Sequence, residues 1–238
     1  MVKNMNKQKA ICILGGMGPQ ASARFLVDIV DMAAREFGVR RNDDFPEIIV
    51  DSVLVPDFIA DEKAKDIAFK ILSTRVRQLD PLASTFAICC NTAHIMFDDL
   101  QASTKIPFIS VIDEVAREVE KAKIKKVGLL ATPTTVRSGL YQAALGRFGV
   151  KVVIPSRNDL VLLESVIRRV LAGLTNTNDV KVLVSVIQSL RRRGAHGVIL
   201  GCTELLLVFP KNFSLPVFDS IDILVRALLR RFFRKEVM

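Results

Sequence analysis

The stretch Ala195–Leu205, AHGVILGCTEL, reads as a short buried strand that delivers Cys202, followed by Thr203 and Glu204, to its carboxyl end. An earlier stretch, Ser84–His94, STFAICCNTAH, has the same build: an apolar run, then Cys90, then Asn91 and Thr92. Further segments pair in the same order. AICILGGMG (Ala10–Gly18) stands to KVGLLATPT (Lys126–Thr134) as IPFISVIDEVAREV (Ile106–Val119) stands to LPVFDSIDILVRAL (Leu215–Leu228). Cys90 and Cys202 are 112 positions apart, and the pairs Pro107/Pro216 and Asp113/Asp222 are each 109 apart. Three matches in order at nearly one offset point to an internal duplication.

Apolar β-branched runs alternate with longer stretches of helical period. Candidate strands are Ala10–Leu14, Glu47–Leu54, Thr85–Cys90, Pro107–Ile109, Lys126–Ala131, Lys151–Ile154, Gly197–Cys202 and Pro216–Phe218. Candidate helices are Gln20–Phe37, stopped by Gly38; Asp61–Leu79, stopped by Asp80-Pro81; and Asn178–Arg193, stopped by Gly194. This alternation predicts an α/β fold of two pseudo-symmetric βα-repeating halves with mostly parallel sheets. Such sheets bind ligands beyond the carboxyl ends of their strands, where both cysteines stand. Two halves of this kind are expected to enclose an active-site cleft.

The chain has 238 residues, half of them hydrophobic and a quarter charged, enough for a sizeable core. Mean hydropathy is +0.33, yet no apolar run approaches the roughly 18 residues of a membrane span. The start, MVKNMNKQKAICILGG, has an apolar run too short for a signal-peptide core and no small-residue cleavage site, so a cytoplasmic protein is expected. A net charge of +9 raises nucleic acid and anionic membranes as partners. The cations are scattered, with small clusters at Lys121–Lys126, Arg191–Arg193 and Arg230–Lys235, and with no Trp and a single Tyr there is little to stack on bases. A small molecule is the expected partner. The four cysteines, Cys12, Cys89, Cys90 and Cys202, form no CxxC pair, and with two histidines in the chain neither a metal site nor a disulfide framework is expected.

Inverting a carbon acid requires a proton to leave one face and another to arrive on the opposite face. Two similar acid/base groups flanking the carbon can do this. Cys90-Asn91-Thr92 and Cys202-Thr203-Glu204 each put a thiol at a strand-to-helix junction, where helix N–H groups are expected to lower its pKa and to hold a carboxylate. Cys12 and Cys89 read as core residues. His94, one helical turn after Cys90, is expected either to tune that thiolate or to pack. Glu204 is expected to orient a group near Cys202. The loop Gly15-Gly16-Met17-Gly18-Pro19 satisfies a permissive dinucleotide pattern but lacks the acidic residue at the end of a second strand about 20 positions on. Its glycines instead suggest close approach of backbone to a small substrate.

On ILGGMGP (Ile13–Pro19), CNTAH (Cys90–His94), LLATPTT with the later SGLY (Leu129–Tyr141) and GCTE (Gly201–Glu204), the chain resembles the aspartate/glutamate racemase family over nearly its whole length. The resemblance implies a two-domain fold, no cofactor, and often a homodimer. It places 1–107 with 212–238 in the half carrying Cys90, and 108–211 in the half carrying Cys202. It implies Asn91, Thr92 and Thr203 as binders of the α-carboxylate, with Met17 and Thr132 or Thr135 lining the pocket. It also implies cations for an acidic side chain where this chain has Phe58 and Val161; Arg137 and Arg157 are possible substitutes that nothing in the sequence places there. An amino-acid racemase with altered side-chain specificity is therefore expected. The alternatives are an isomerase or decarboxylase using one nucleophilic cysteine, and a binding protein without catalysis.

Overall fold

The computed structural model describes residues 9–58, 62–210 and 213–234. In chain order the elements are β1 (Ala10–Gly15), α1 (Pro19–Glu36), β2 (Ile48–Ser52), α2 (Glu62–Leu79), β3 (Ala83–Ile88), α3 (Phe97–Ala102) and β4 (Phe108–Ile109). They continue with α4 (Val111–Lys121), β5 (Lys126–Leu130), α5 (Pro133–Ser138), α6 (Leu140–Gly146), β6 (Lys151–Val153), α7 (Arg157–Leu171), α8 (Thr177–Arg192), β7 (Val198–Leu200), β8 (Val217–Asp219) and α9 (Ser220–Arg234).

Two four-stranded parallel sheets result, ordered β2-β1-β3-β4 and β6-β5-β7-β8. Replacing each strand number in the first sheet by that number plus four yields the second, as a duplication requires. Every strand read from the sequence is present, and the expected α/β fold with parallel sheets is found. The central strands are fully buried at β1 and β7, which suits their unbroken apolar runs.

The chain divides into two compact units. One holds the described residues of Met1–Cys89, Met96–Ser110 and Val225–Met238; the other holds Cys90–Ile95 and Val111–Leu224. This differs from the expected halves. The first crossing falls after Ser110 rather than after residue 107, because β4 completes the first sheet before α4 begins. The expected boundary at 211/212 lies outside the described residues. Here the second crossing falls inside α9, since β8 belongs to the second sheet. Cys90–Ile95 groups with the second unit, although β3 before it belongs to the first.

In the second unit, α7 and α8 each carry an apolar stripe at helical spacing. Leu163, Val166, Ile167 and Val170 of α7, and Leu183, Val186, Ile187 and Leu190 of α8, pack with Val198 and Cys202 in one core. Each helix opens on a reciprocal cap, Ser156 with Asp159 and Asn176 with Asp179. In the first unit the β1–α1 loop depends on Gly16, whose φ is +88°. A Cβ there would lie 2.4 Å from the Val53 carbonyl oxygen and 2.5 Å from its nitrogen. The glycine is thus required by the neighbouring backbone, whatever approaches the loop from outside.

Because those atoms are backbone and cannot swing aside, Gly16→Ala is expected to destabilise the protein by about 2 kcal/mol or more. Urea denaturation should show a lowered midpoint with an unchanged slope.

Candidate active site

Each cysteine of interest begins where a strand ladder ends. The Cys89 amide donates to Leu14 O at 2.9 Å, and the Gly201 amide donates to Leu130 O at 2.8 Å. These equivalent bonds come one residue after Ile88 of β3 and Leu200 of β7. Cys90 and Cys202 are therefore loop residues just past their strands, not strand residues as the sequence suggested. Neither is followed directly by an α-helix. Short 3-10 turns, Thr92–Met96 and Leu205–Val208, take that place.

The second unit collects Cys90, Asn91, Thr92, His94, Thr132, Thr135, Cys202, Thr203 and Glu204, all buried. Met17 lies in the first unit, half-buried in the β1–α1 loop. Phe58, also in the first unit, is buried, while Val161 on α7 is 64% exposed.

Three polar groupings surround the thiols. The hydroxyls of Thr92, Thr132 and Thr135 form a triangle with sides of 3.1, 2.9 and 3.0 Å. Thr132 is also the N-cap of α5 and accepts the Thr135 amide at 3.1 Å. A second grouping runs from Tyr141, whose hydroxyl donates to Asn91 Oδ1 at 2.6 Å. Asn91 Nδ2 donates to Ser220 Oγ at 3.0 Å, and Ser220 donates to Leu200 O at 2.8 Å. The third grouping is Glu204, whose Oε2 accepts the Cys202 thiol at 3.0 Å and the Thr203 hydroxyl at 3.1 Å. Glu204 Oε1 is buried and has no hydrogen-bond partner among the described residues.

Electrostatics follow from burial. The Cys90 thiol is pushed up to about 12 by desolvation first and by the Glu204 carboxylate second; amides of Ala93 and Thr92 oppose this only in part. Cys202 is raised well above the usual thiol range by desolvation, by the charge of Glu204 and by donating to it, with Cys90 adding further. The expected lowering at helix N-termini is therefore corrected. One or two amides from a 3-10 turn do not outweigh full desolvation beside a carboxylate. Burial likewise pushes the Tyr141 phenol up, so it remains a donor.

His94 serves the backbone rather than a thiol. Its Nε2 accepts the Val111 amide at 3.2 Å, so the ring proton sits on Nδ1, which donates to Cys90 O at 2.9 Å. Tyr141 and Ser220 were not singled out by residue-level reading. The available signal was that Tyr141 is the only tyrosine, a residue that needs a partner for its hydroxyl when buried.

A sequence profile of the family described as Asp/Glu/Hydantoin racemase matches residues 14–228. The chain belongs to that family. Among curated relatives, the broad specificity amino-acid racemase RacX of Bacillus subtilis is 25% identical over 223 residues, covering 91% of this chain and 95% of that protein. A crystal structure of an aspartate racemase homologue from Pyrococcus horikoshii OT3 is 30% identical with a TM-score of 0.75, covering 94% of this chain and 99% of the other. The Picrophilus torridus aspartate racemase is 27% identical with a TM-score of 0.80, covering 94% of each chain. Family membership accords with the duplicated parallel sheets. Among the described residues no cluster suited to a metal ion occurs, and no helix is long and apolar enough to cross a membrane.

Burial holds the His94 imidazole neutral, moving its pKa from 6.5 down to about 4 against the opposing pull of Cys90 O and Asp113. The unfolded chain then binds more protons between these values, so stability present above pH 6.5 is lost as pH falls towards 4. His94 should account for about 3 kcal/mol of that loss. Urea midpoints measured from about pH 7 to 4 are expected to fall less steeply in His94→Gln than in wild type.

Proposed function

We propose that this protein is a cofactor-independent amino-acid racemase in which Cys90 and Cys202 exchange the α-proton on opposite faces of the substrate. One observation carries the reading: two buried thiols at equivalent strand ends lie under the influence of a single buried carboxylate, Glu204. As a thiolate, one sulfur takes the α-proton, while the other, as a thiol, delivers its proton to the opposite face. The two sulfurs thereby swap protonation states, and the reverse reaction uses them in exchanged roles.

In the protein by itself both thiols stay protonated at neutral pH, since burial and Glu204 disfavour the thiolate. A ligand carrying an ammonium group reverses this. Its positive charge offsets that of Glu204, and Glu204 Oε1 is the buried acceptor left to receive it. The thiolate then forms only with substrate in place, where the added positive charge lowers the cost of ionising the sulfur and the thiol proton is released to solvent. Asn91, Thr92 and Thr203 are assigned to the α-carboxylate, where negative charge grows as the α-proton leaves. Thr132 and Thr135 complete the pocket in this reading, with His94 holding the Cys90 backbone.

For the side chain, we favour neutral or apolar amino acids over aspartate. Support comes from the resemblance, which implies cations for a side-chain carboxylate at two positions where this chain has Phe58 and Val161; without such cations a buried carboxylate would be desolvated and unpaired at a cost of several kcal/mol. The broad specificity of RacX accords with this. A homodimer is the assembly we expect, and sedimentation would report it.

Incubation in D₂O with a panel of amino acids is expected to show α-deuteration and racemisation, strongest for apolar side chains. Cys90→Ser and Cys202→Ser should each reduce racemisation by at least a thousandfold; wild-type rates in both would refute the two-thiol reading. The α-hydroxy analogue of the best substrate, lacking an ammonium, should exchange at least a hundredfold more slowly. The alkaline rise of kcat/KM should move to lower pH in Glu204→Gln, because removing the carboxylate charge lowers both thiol pKa values.

A further inference from the structure

The side-chain amide of Asn91 is held at both ends. Ser220 has one hydroxyl proton, and the Leu200 carbonyl oxygen, 2.8 Å away, can only accept it. Ser220 Oγ must then accept from its other neighbour, so the Asn91 atom 3.0 Å away is the nitrogen. At the other end, the Tyr141 hydroxyl donates to Asn91 Oδ1 at 2.6 Å. The three side chains are buried, at 2% exposure for Asn91 and Ser220 and 0% for Tyr141, so water does not compete for these bonds. The terminal torsion of asparagine is otherwise broad and nearly two-fold, and by itself would leave the amide free to turn over.

Tyr141 reaches this position because residue 201 is glycine. A Cβ on Gly201 would sit 3.1 Å from Tyr141 Cε2 and 2.8 Å from Leu129 Cδ1, tight enough to push the ring away. The hydrogen-bond chain therefore ties the residue after Cys90 to the end of β7, two residues before Cys202.

We propose that Tyr141 and Ser220 are positioning residues that orient the Asn91 amide so that its remaining N–H, and not its oxygen, meets the substrate carboxylate. This rests on the racemase reading above, in which Asn91 binds that carboxylate. A turned-over amide would present a carbonyl oxygen to an anion and weaken both binding and the charge stabilisation that racemisation needs. Gly201 acts one step further out, as the seat of the Tyr141 ring.

The test uses whichever amino acid of the panel the wild-type protein racemises fastest. Tyr141→Phe is expected to lower kcat/KM about five- to tenfold, the size of one net hydrogen bond. Ser220→Ala should do the same, and Ser220→Thr, which keeps the hydroxyl, should recover to within threefold of wild type. In an Asn91→Ala background, Tyr141→Phe should cost less than a further twofold; a full repeat of its loss there would overturn the proposal. Should Tyr141→Phe fail to fold, the Ser220 pair with Asn91→Ala decides the same question. A protein that exchanges no amino acid would refute the racemase reading, and the clamp is then judged by NMR. The Asn91 side-chain amide protons should exchange slowly in wild type and at least tenfold faster in Tyr141→Phe and Ser220→Ala; unchanged exchange in both would overturn the clamp.

Discussion

The last ladder bond of each inner strand fixes where the two thiols stand, and the chemistry of the site depends on that placement. Cys89 N–H on Leu14 O and Gly201 N–H on Leu130 O close the pairing of β1 with β3 and of β5 with β7. The next residue in each chain segment is released from the sheet and can turn its side chain away from the pleat. In both places that residue is a cysteine. A parallel sheet covered by helices buries its strands on both faces, so the thiols leave the ladder while still inside the protein. Their acidity is set by that burial.

Burial has two consequences that pull against each other. It raises the cost of ionising either sulfur, and a carboxylate close to both raises it further. It also makes every well-placed dipole and charge more effective, because little water is present to screen it. In the proposed mechanism, the site is inert until a ligand supplies the missing positive charge. The polar groups around it show how buried donors and acceptors are kept occupied. The three threonines satisfy one another, and Asn91 is fixed by Tyr141 and Ser220. Glu204 keeps one oxygen unengaged among the described residues.

The fold was largely legible in the sequence. Runs such as Val198–Leu200 and Ile11–Leu14 announce buried strands, and the near-constant offset between the two halves announces the repeated topology. Cys90 and Cys202 were legible as matched positions for the same reason. Their pKa values were not. Reading Asn91-Thr92 and Thr203-Glu204 as helix starts gave the thiols a dipole, whereas the chain forms 3-10 turns and brings Glu204 onto Cys202. His94 was legible as a neighbour of Cys90, but its ring bonds to Val111 N–H and Cys90 O depend on where α4 begins.

Periodicity and repetition act locally, so the sequence by itself determined the strands, their parallel arrangement and the equivalence of the two cysteines. What the tertiary structure alone decided are the relations between distant residues. Asn91 meets Tyr141 across 50 positions and Ser220 across 129, and Glu204 comes to act on Cys90. Hydrogen bonding and desolvation depend on which groups share a buried volume, and no spacing along the chain encodes that volume. The equivalence of Cys90 and Cys202 was thus written in the sequence, while the carboxylate, hydroxyls and amide that surround them were assembled only by folding.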